Sequence, residues 1–190
     1  AIHKAAAVVI GPGLGQEAGA ERLLDLVLQE AKKLPELPVV IDADGLNLLA
    51  KKRLYSTLGR QYVLTPHLRE MSRLSGKSVQ EIADDMTSAV MGQQAGATIV
   101  LKDARTLVSD GDWLYINLSG NSALSTGGSG DVLSGMIGGL LAQGCTQRTA
   151  ATLAVYMHGL TAEQYCESAP PHCMLARDIL EMIPKIGGNS

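Results

Sequence analysis

The chain has 190 residues and a formal net charge of −3, from 16 basic and 19 acidic side chains, and is long enough to bury a core of ordinary domain size. Hydrophobic residues make up 46% and charged ones 18%, which excludes a disordered chain, and no run of like charge marks nucleic acid or an anionic membrane as a partner. Aromatics are scarce at 3%, with no Phe, and no stretch reaches the roughly 18 apolar residues of a membrane span, so neither a base-stacking platform nor a spanning helix is expected.

In chain order, AAAVVI (5–10) is short, apolar and β-branched at its end and stops at GPGLG, which predicts a buried strand and a glycine turn. From Glu17 to Leu34 the positions Leu23, Leu24, Val27, Leu28 and Ala31 recur at helical spacing, and the helix is expected to stop before Pro35. PVVIDA (38–43) predicts a second buried strand, DGLNLLAKK a short helix, and QYVLT (61–65) a third strand. That alternation belongs to a parallel sheet. A helix is expected over 78–95, with Val79, Ile82, Ala83, Met86, Ala89 and Val90 at helical spacing. TIVLK (98–102) returns to strand, and TLVS and WLYINL form a hairpin about DGD. Three helices are predicted at about 130–142, 147–166 and 174–186, before a fraying GGNS tail. The chain therefore reads as one α/β domain over 1–190, a mostly parallel sheet flanked by helices. Three cysteines, Cys145, Cys166 and Cys173, stand in no framework spacing, so a cytoplasmic, reducing setting is expected. The opening into an apolar run without a basic leader leads us to expect that earlier residues are missing.

In an open α/β sheet, ligands gather at the carboxyl ends of the strands. GPGLG, DADGLN, TPHLRE and KDART fall there one after another. The glycine run of NSALSTGGSGD ends where an apolar helix begins, so the amides of Gly128, Ser129, Gly130 and Asp131 are expected to point outward from a helix N-terminus, a position that suits a transferring phosphoryl group. The plainer alternative is that Asp131 only favours the helix dipole. Lys102, Arg105 and Thr106 offer donors for phosphate, although a lysine at a strand end is commonly a solvated charge. His67 and Glu70 stand three apart and share a face if a helix starts there. Asp42, Asp44 and Asn47 could hold hydrated Mg²⁺ or accept ribose hydroxyls, and Asp44 could instead cap a helix starting at Gly45. Cys166, His172 and Cys173 lack zinc spacing.

IGPGLG, VVIDADGLNLL, VLTPHLREMSRL, TIVLKDARTLV and GNSALSTGGSGDVLSGMIGGLL resemble, in this order, the dehydratase domain that repairs hydrated NADH and NADPH. The resemblance covers nearly the whole chain and implies a ribokinase-like three-layer fold and a hydro-lyase acting on NADHX and NADPHX. ADP is the implied nucleotide, as in bacterial members, where eukaryotic ones use ATP, and Mg²⁺ bridges its phosphates. The resemblance further implies that Gly128, Ser129 and Gly130 lie against the nucleotide and that Lys102, Asp103, Ala104, Arg105 and Thr106 hold it. Asp131 would be the catalytic base at the substrate, with Gly15 and His67 as substrate contacts, while Glu70 and Asp42 would touch the metal through water. Where many members have glycine, this chain has Arg69 and Asp103. The family also carries strands and a substrate loop ahead of IGPGLG, so the domain is expected to be incomplete at its N-terminus and to belong with an epimerase domain or partner. Short helices and an exposed sheet edge lead us to expect a homo-oligomer. Two rivals stand beside this reading: a hydroxyethylthiazole or hydroxymethylpyrimidine kinase of the same fold, which would keep the same glycine loop, and a nucleotide-binding fragment without turnover.

Overall fold

The computed structural model describes residues 2–91 and 96–186. Six strands form one sheet in the order β1 (Val8–Ile10), β2 (Val39–Ile41), β3 (Tyr62–Leu64), β4 (Thr98–Leu101), β5 (Leu107–Ser109) and β6 (Leu114–Ile116). The first four run parallel, with Val8 opposite Val39, Val40 opposite Val63 and Leu64 opposite Ile99, and β5 and β6 turn back antiparallel. Residues of β2, β3 and β4 are buried on both faces, as parallel strands covered by helices must be.

Strands that follow one another in space as they do in sequence, each joined by a right-handed crossover, place every connecting helix on the same face. That face carries α1 (Ala18–Lys32), α2 (Asp44–Lys51), α3 (Leu68–Ser75), α4 (Val79–Asp84) and α5 (Met86–Met91), whose Leu24, Leu28, Leu46, Leu49, Met71 and Val90 pack on Val39, Ile41, Leu64, Ile99 and Leu101. The other face is covered from the C-terminal part of the chain by α6 (Ser129–Ala142) and α7 (Gln147–Cys166), with Leu133, Ile137, Ala151 and Val155 over Val40, Val63, Val100 and Val108. A short α8 (Ala176–Met182) closes a satellite cluster of Ala123, Ala162, Met174 and Ile179. Among the described residues no helix is long and apolar enough to cross a membrane.

The expected elements are present, with three differences. The helix expected over 78–95 is two helices, broken at Asp85 (φ −144, ψ 75), whose carboxylate accepts the Ser88 amide at 2.9 Å and starts α5 afresh; residues 92–95 and the GGNS tail at 187–190 lie outside the described residues. The last helix ends at Met182 and tightens into a 3₁₀ turn, Ile183–Lys185, around Pro184, which has no amide to continue an α-helix. Within α1 the buried stripe is Ala20, Leu24, Leu28 and Ala31, while Leu23 is 46% exposed. One stripe of a helix reaches the sheet, and Leu23 lies off it.

Leu24 and Leu23 therefore test the packing side by side. Urea denaturation is expected to show Leu24→Ala losing about 2–5 kcal/mol and Leu23→Ala less than about 1 kcal/mol.

Candidate functional site

Glycines set how closely the loops at the carboxyl ends of the strands can approach. Gly11, just after β1, has φ 125, and a β-carbon there would land on the carbonyl of Asp42 after β2. The two loops are thus interlocked, with the Asp42 amide donating to the Ile10 carbonyl at 3.1 Å. Asp44 completes the lock: its carboxylate accepts the Gly15 amide at 3.0 Å and the Gln16 side-chain amide at 2.9 Å. Of the alternatives open for Asp44, capping a helix from Gly45 is therefore not the one found. The helix α2 begins at Asp44 itself, behind Ala43 at φ 47, and its N-cap makes no side-chain bond. Gly15 is thereby held in place, whereas a β-carbon on Gly13 would meet open space.

After β3, His67 caps α3. Its Nδ1 accepts the amides of Arg69 and Glu70 at 3.1 and 3.2 Å, and Glu70 Oε2 accepts the His67 amide at 2.9 Å. An Nδ1 that accepts leaves the ring proton on Nε2, which lies 3.5 Å from Glu70 Oε1. Glu70 is buried and wholly drawn into this capping box. A backbone bridge links His67 to Lys102, so the ends of β3 and β4 stay in register past the last strand residues.

Lys102 reaches across the sheet edge to Asp42. The Nζ to Oδ1 distance is 2.9 Å, and the second carboxylate oxygen accepts the Ser134 hydroxyl of α6 at 2.5 Å. Asp42 is 1% exposed and the Lys102 side chain 21%, so the carboxylate is neutralised inside the protein while its lysine still touches the cleft. A β-carbon at Gly130 would sit 3.2 Å from Lys102 Nζ. Glycine at 130 lets the first turn of α6 lie directly over the ammonium group.

That first turn begins at Gly128, in the left-handed region at φ 85, with no side-chain cap. Ser129 turns its amide back to the Thr126 carbonyl at 3.3 Å. The four outward amides expected are therefore fewer, because Ser129 spends its N–H within the turn. The amides of Gly130 and Asp131 take no partner among the described residues, and the exposed Asp131 carboxylate makes no hydrogen bond or ion pair there. A helix N-terminus of this kind carries roughly half a positive charge and attracts an anion.

One cleft of about 850 Å³ lies at this edge, within the size range of small-molecule sites, and neither Gly15 nor Gly128 is part of its lining. His67, Lys102, Asp103, Ala104, Thr106, Ser129 and Gly130 line it, along with apolar Leu124, Leu133 and Val155. Arg105 and Asp131 stand exposed at its margin and are not part of its lining. Asp42 and Glu70 lie beneath: both oxygens of Asp42 accept hydrogen bonds from the protein, and Glu70 accepts one through Oε2 with Oε1 3.5 Å from His67 Nε2. Sequence reasoning missed Asn117, Asn121, Thr126 and His158, which also line the cleft. His158 is 7% exposed, and burial holds its imidazole down at about pKa 4, so it is neutral at physiological pH. A signal for it existed: it interrupts the small and apolar stripe of Ala151, Ala154, Val155 and Ala162 on α7.

Removing one member of a buried ion pair costs more than removing both. Chemical denaturation is expected to show Lys102→Met losing about 3–5 kcal/mol, because Asp42 is left buried and uncompensated, and the double change Asp42→Asn with Lys102→Met recovering more than half of that loss.

A family model described as NAD(P)H-hydrate dehydratase matches residues 1–185. The chain is 44% identical to the ADP-dependent (S)-NAD(P)H-hydrate dehydratase of Neisseria meningitidis serogroup B over 167 residues, 85% of this chain and 55% of that protein. It is 39% identical to the bifunctional NAD(P)H-hydrate repair enzyme Nnr of Coxiella burnetii over 178 residues, 92% of this chain and 35% of that protein. Among solved structures, the ADP/ATP-dependent NAD(P)H-hydrate dehydratase of Bacillus subtilis co-crystallised with ATP/Mg²⁺ superposes with a TM-score of 0.80 at 32% identity, over 95% of this chain and 63% of that one. The ribokinase-like fold is shared by further solved structures. The chain spans about a third to about half the length of the curated relatives just named.

Proposed function

Because the chain belongs to the NAD(P)H-hydrate dehydratase family, we propose that it returns hydrated NADH and NADPH, as their (S) forms, to NADH and NADPH with ADP as phosphoryl donor. The observation that carries this reading is the start of α6, where the amides of Gly130 and Asp131 take no partner among the described residues and Gly130 lies beside Lys102 in the lining of one cleft. Amides fixed before the reaction stabilise developing charge without having to reorganise.

When bound, ADP would transfer its terminal phosphoryl group to the ring hydroxyl with AMP leaving, and phosphate would then depart with loss of a proton from the adjacent ring carbon to restore the double bond. The chain's own residues supply the rest. The amides of Gly130 and Asp131 hold the transferring phosphoryl group, with Gly128 giving the turn its left-handed geometry. Lys102 adds a positive charge beside them, and Asp103, Ala104, Arg105 and Thr106 hold the nucleotide further along. Leu124, Leu133 and Val155 give its base an apolar wall. Asp131, whose exposed carboxylate has no hydrogen bond or ion pair among the described residues, takes the hydroxyl proton, while Gly15 and His67 face the substrate. An aspartate is an intrinsically weak base, which suits a loose phosphoryl-transfer transition state that asks mainly for positioning and charge.

Magnesium fits this site only as a companion of the nucleotide. Among the described residues no group of three His, Cys, Asp or Glu could hold a metal ion, and the carboxylates of Asp42 and Glu70 are engaged by Lys102, Ser134 and His67. Contact from either would be through water, as is usual for an ion that keeps its hydration shell. Self-association is proposed along the edge strand β6 and the residues just after it, where Ile116 and Leu118 are 47% and 78% exposed. A cytoplasmic setting and association with an epimerase domain or partner are part of the same proposal.

The assay follows loss of the NADH hydrate with ADP, with ATP and with neither. NADH should appear only with nucleotide, and Asp131→Ala should lower kcat by about a hundredfold or more while ADP affinity changes by no more than a few-fold, since the amides remain. A phosphate ester without NADH would favour a small-molecule kinase, and ADP binding without any turnover a binding module.

A further inference from the structure

The first turn of α6 has an unusual problem of order. Gly127, Gly128 and Gly130 give it a backbone with little intrinsic preference for one conformation, and its N-cap offers no side-chain bond. An anion site needs the reverse, donors held in place before the ligand arrives. Something outside the turn has to hold it.

We propose that His158 of α7 is a positioning residue that locks the first turn of α6 through Ser129 and so fixes the free amides of Gly130 and Asp131 toward the nucleotide. His158 Nε2 lies 3.1 Å from the Ser129 carbonyl and 3.2 Å from its hydroxyl, both buried. A carbonyl can only accept, so Nε2 carries the hydrogen and donates it. Ser129 is then held from two sides, its amide by Thr126 and its carbonyl by His158. The next two amides are the ones left over. The depressed pKa of the imidazole keeps it in the neutral form that this arrangement uses.

The same stretch of α7 also holds the opposite wall of the cleft. The Tyr156 carbonyl accepts the Ser119 hydroxyl at 2.9 Å, Glu163 Oε1 accepts the Gly120 amide at 2.7 Å, and the Ala162 carbonyl accepts the Asn121 side-chain amide at 3.2 Å. Gly159 is required here, because a β-carbon would run into Ser119. One rigid helix therefore sets both walls, and His158 is its link to the phosphate end.

The inference rests on the proposed nucleotide site, and its test separates the two. ADP affinity is measured by calorimetry, and amide hydrogen exchange over 129–132 by mass spectrometry, for wild type, His158→Ala, His158→Gln and Leu24→Ala, the last as a core change remote from the cleft. His158→Ala should weaken ADP binding by about tenfold or more and speed exchange at the first turn of α6, with partial recovery in His158→Gln or on adding imidazole. Leu24→Ala should lose stability yet keep ADP affinity within about twofold. Wild-type affinity and exchange in His158→Ala, or an affinity loss no larger than that of Leu24→Ala, overturns the role of His158 alone. A wild-type chain that binds no ADP overturns the proposed function, and with it any need for a positioning residue.

Discussion

A carboxylate that is 1% exposed at the end of β2 has to be neutralised inside the protein, and Lys102 from the end of β4 does so at 2.9 Å. An uncompensated charge at that depth would cost several kcal/mol. The pairing spans two strand positions of the sheet, so it is satisfied only when β2, β3 and β4 stand in their observed order. It also fixes what can lie above it. Ser134 of α6 completes the bonding of Asp42, and Gly130, one turn earlier, is small enough to pass over the lysine. The start of α6 is thereby placed by electrostatics as much as by the packing of Leu133 and Ile137 on the sheet.

This placement links the fold to the proposed chemistry. A helix N-terminus facing solvent is satisfied by water, but here it opens into a cleft with a half-neutralised lysine beneath and apolar side chains beside it. In the proposed function Lys102 has two claims on its charge, Asp42 in the protein and the nucleotide's phosphate in the cleft. The glycines that let the backbone come so close also weaken the turn, and the compensation comes from elsewhere: Asp44 holds the first loop, the capping box of His67 and Glu70 holds the third, and α7 holds the last.

Much of this was legible in the sequence because it depends on local pattern. Short β-branched runs, glycine turns and helical spacing located the strands and most helices within a few residues, and TGGSGD before an apolar run marked the start of α6. What the pattern did not reveal is non-local. Nothing near Asp42 tells that its partner is Lys102, sixty positions away, or that Asp44 ties down Gly15 rather than capping its own helix. Asp85 shows the same limit at short range: the apolar spacing runs through it unbroken, yet its side chain starts a new helix. His158 interrupts a small and apolar stripe on α7, but that pattern does not name its partner, Ser129, 29 positions earlier. The phosphate reading of the glycine loop follows from its spacing before an apolar helix, and the finer roles of the site residues from family resemblance.

The proposed function requires that the amides of Gly130 and Asp131, at the turn beside Lys102, receive the phosphate of an adenine nucleotide. The most direct measurement is the amide nuclear magnetic resonance spectrum of the isotopically labelled chain as ADP is added. Saturable shifts are expected, largest at Gly130 and Asp131, smaller along 102–106, and absent from the opposite edge of the sheet. Saturable binding with the Gly130 and Asp131 resonances unmoved would contradict it.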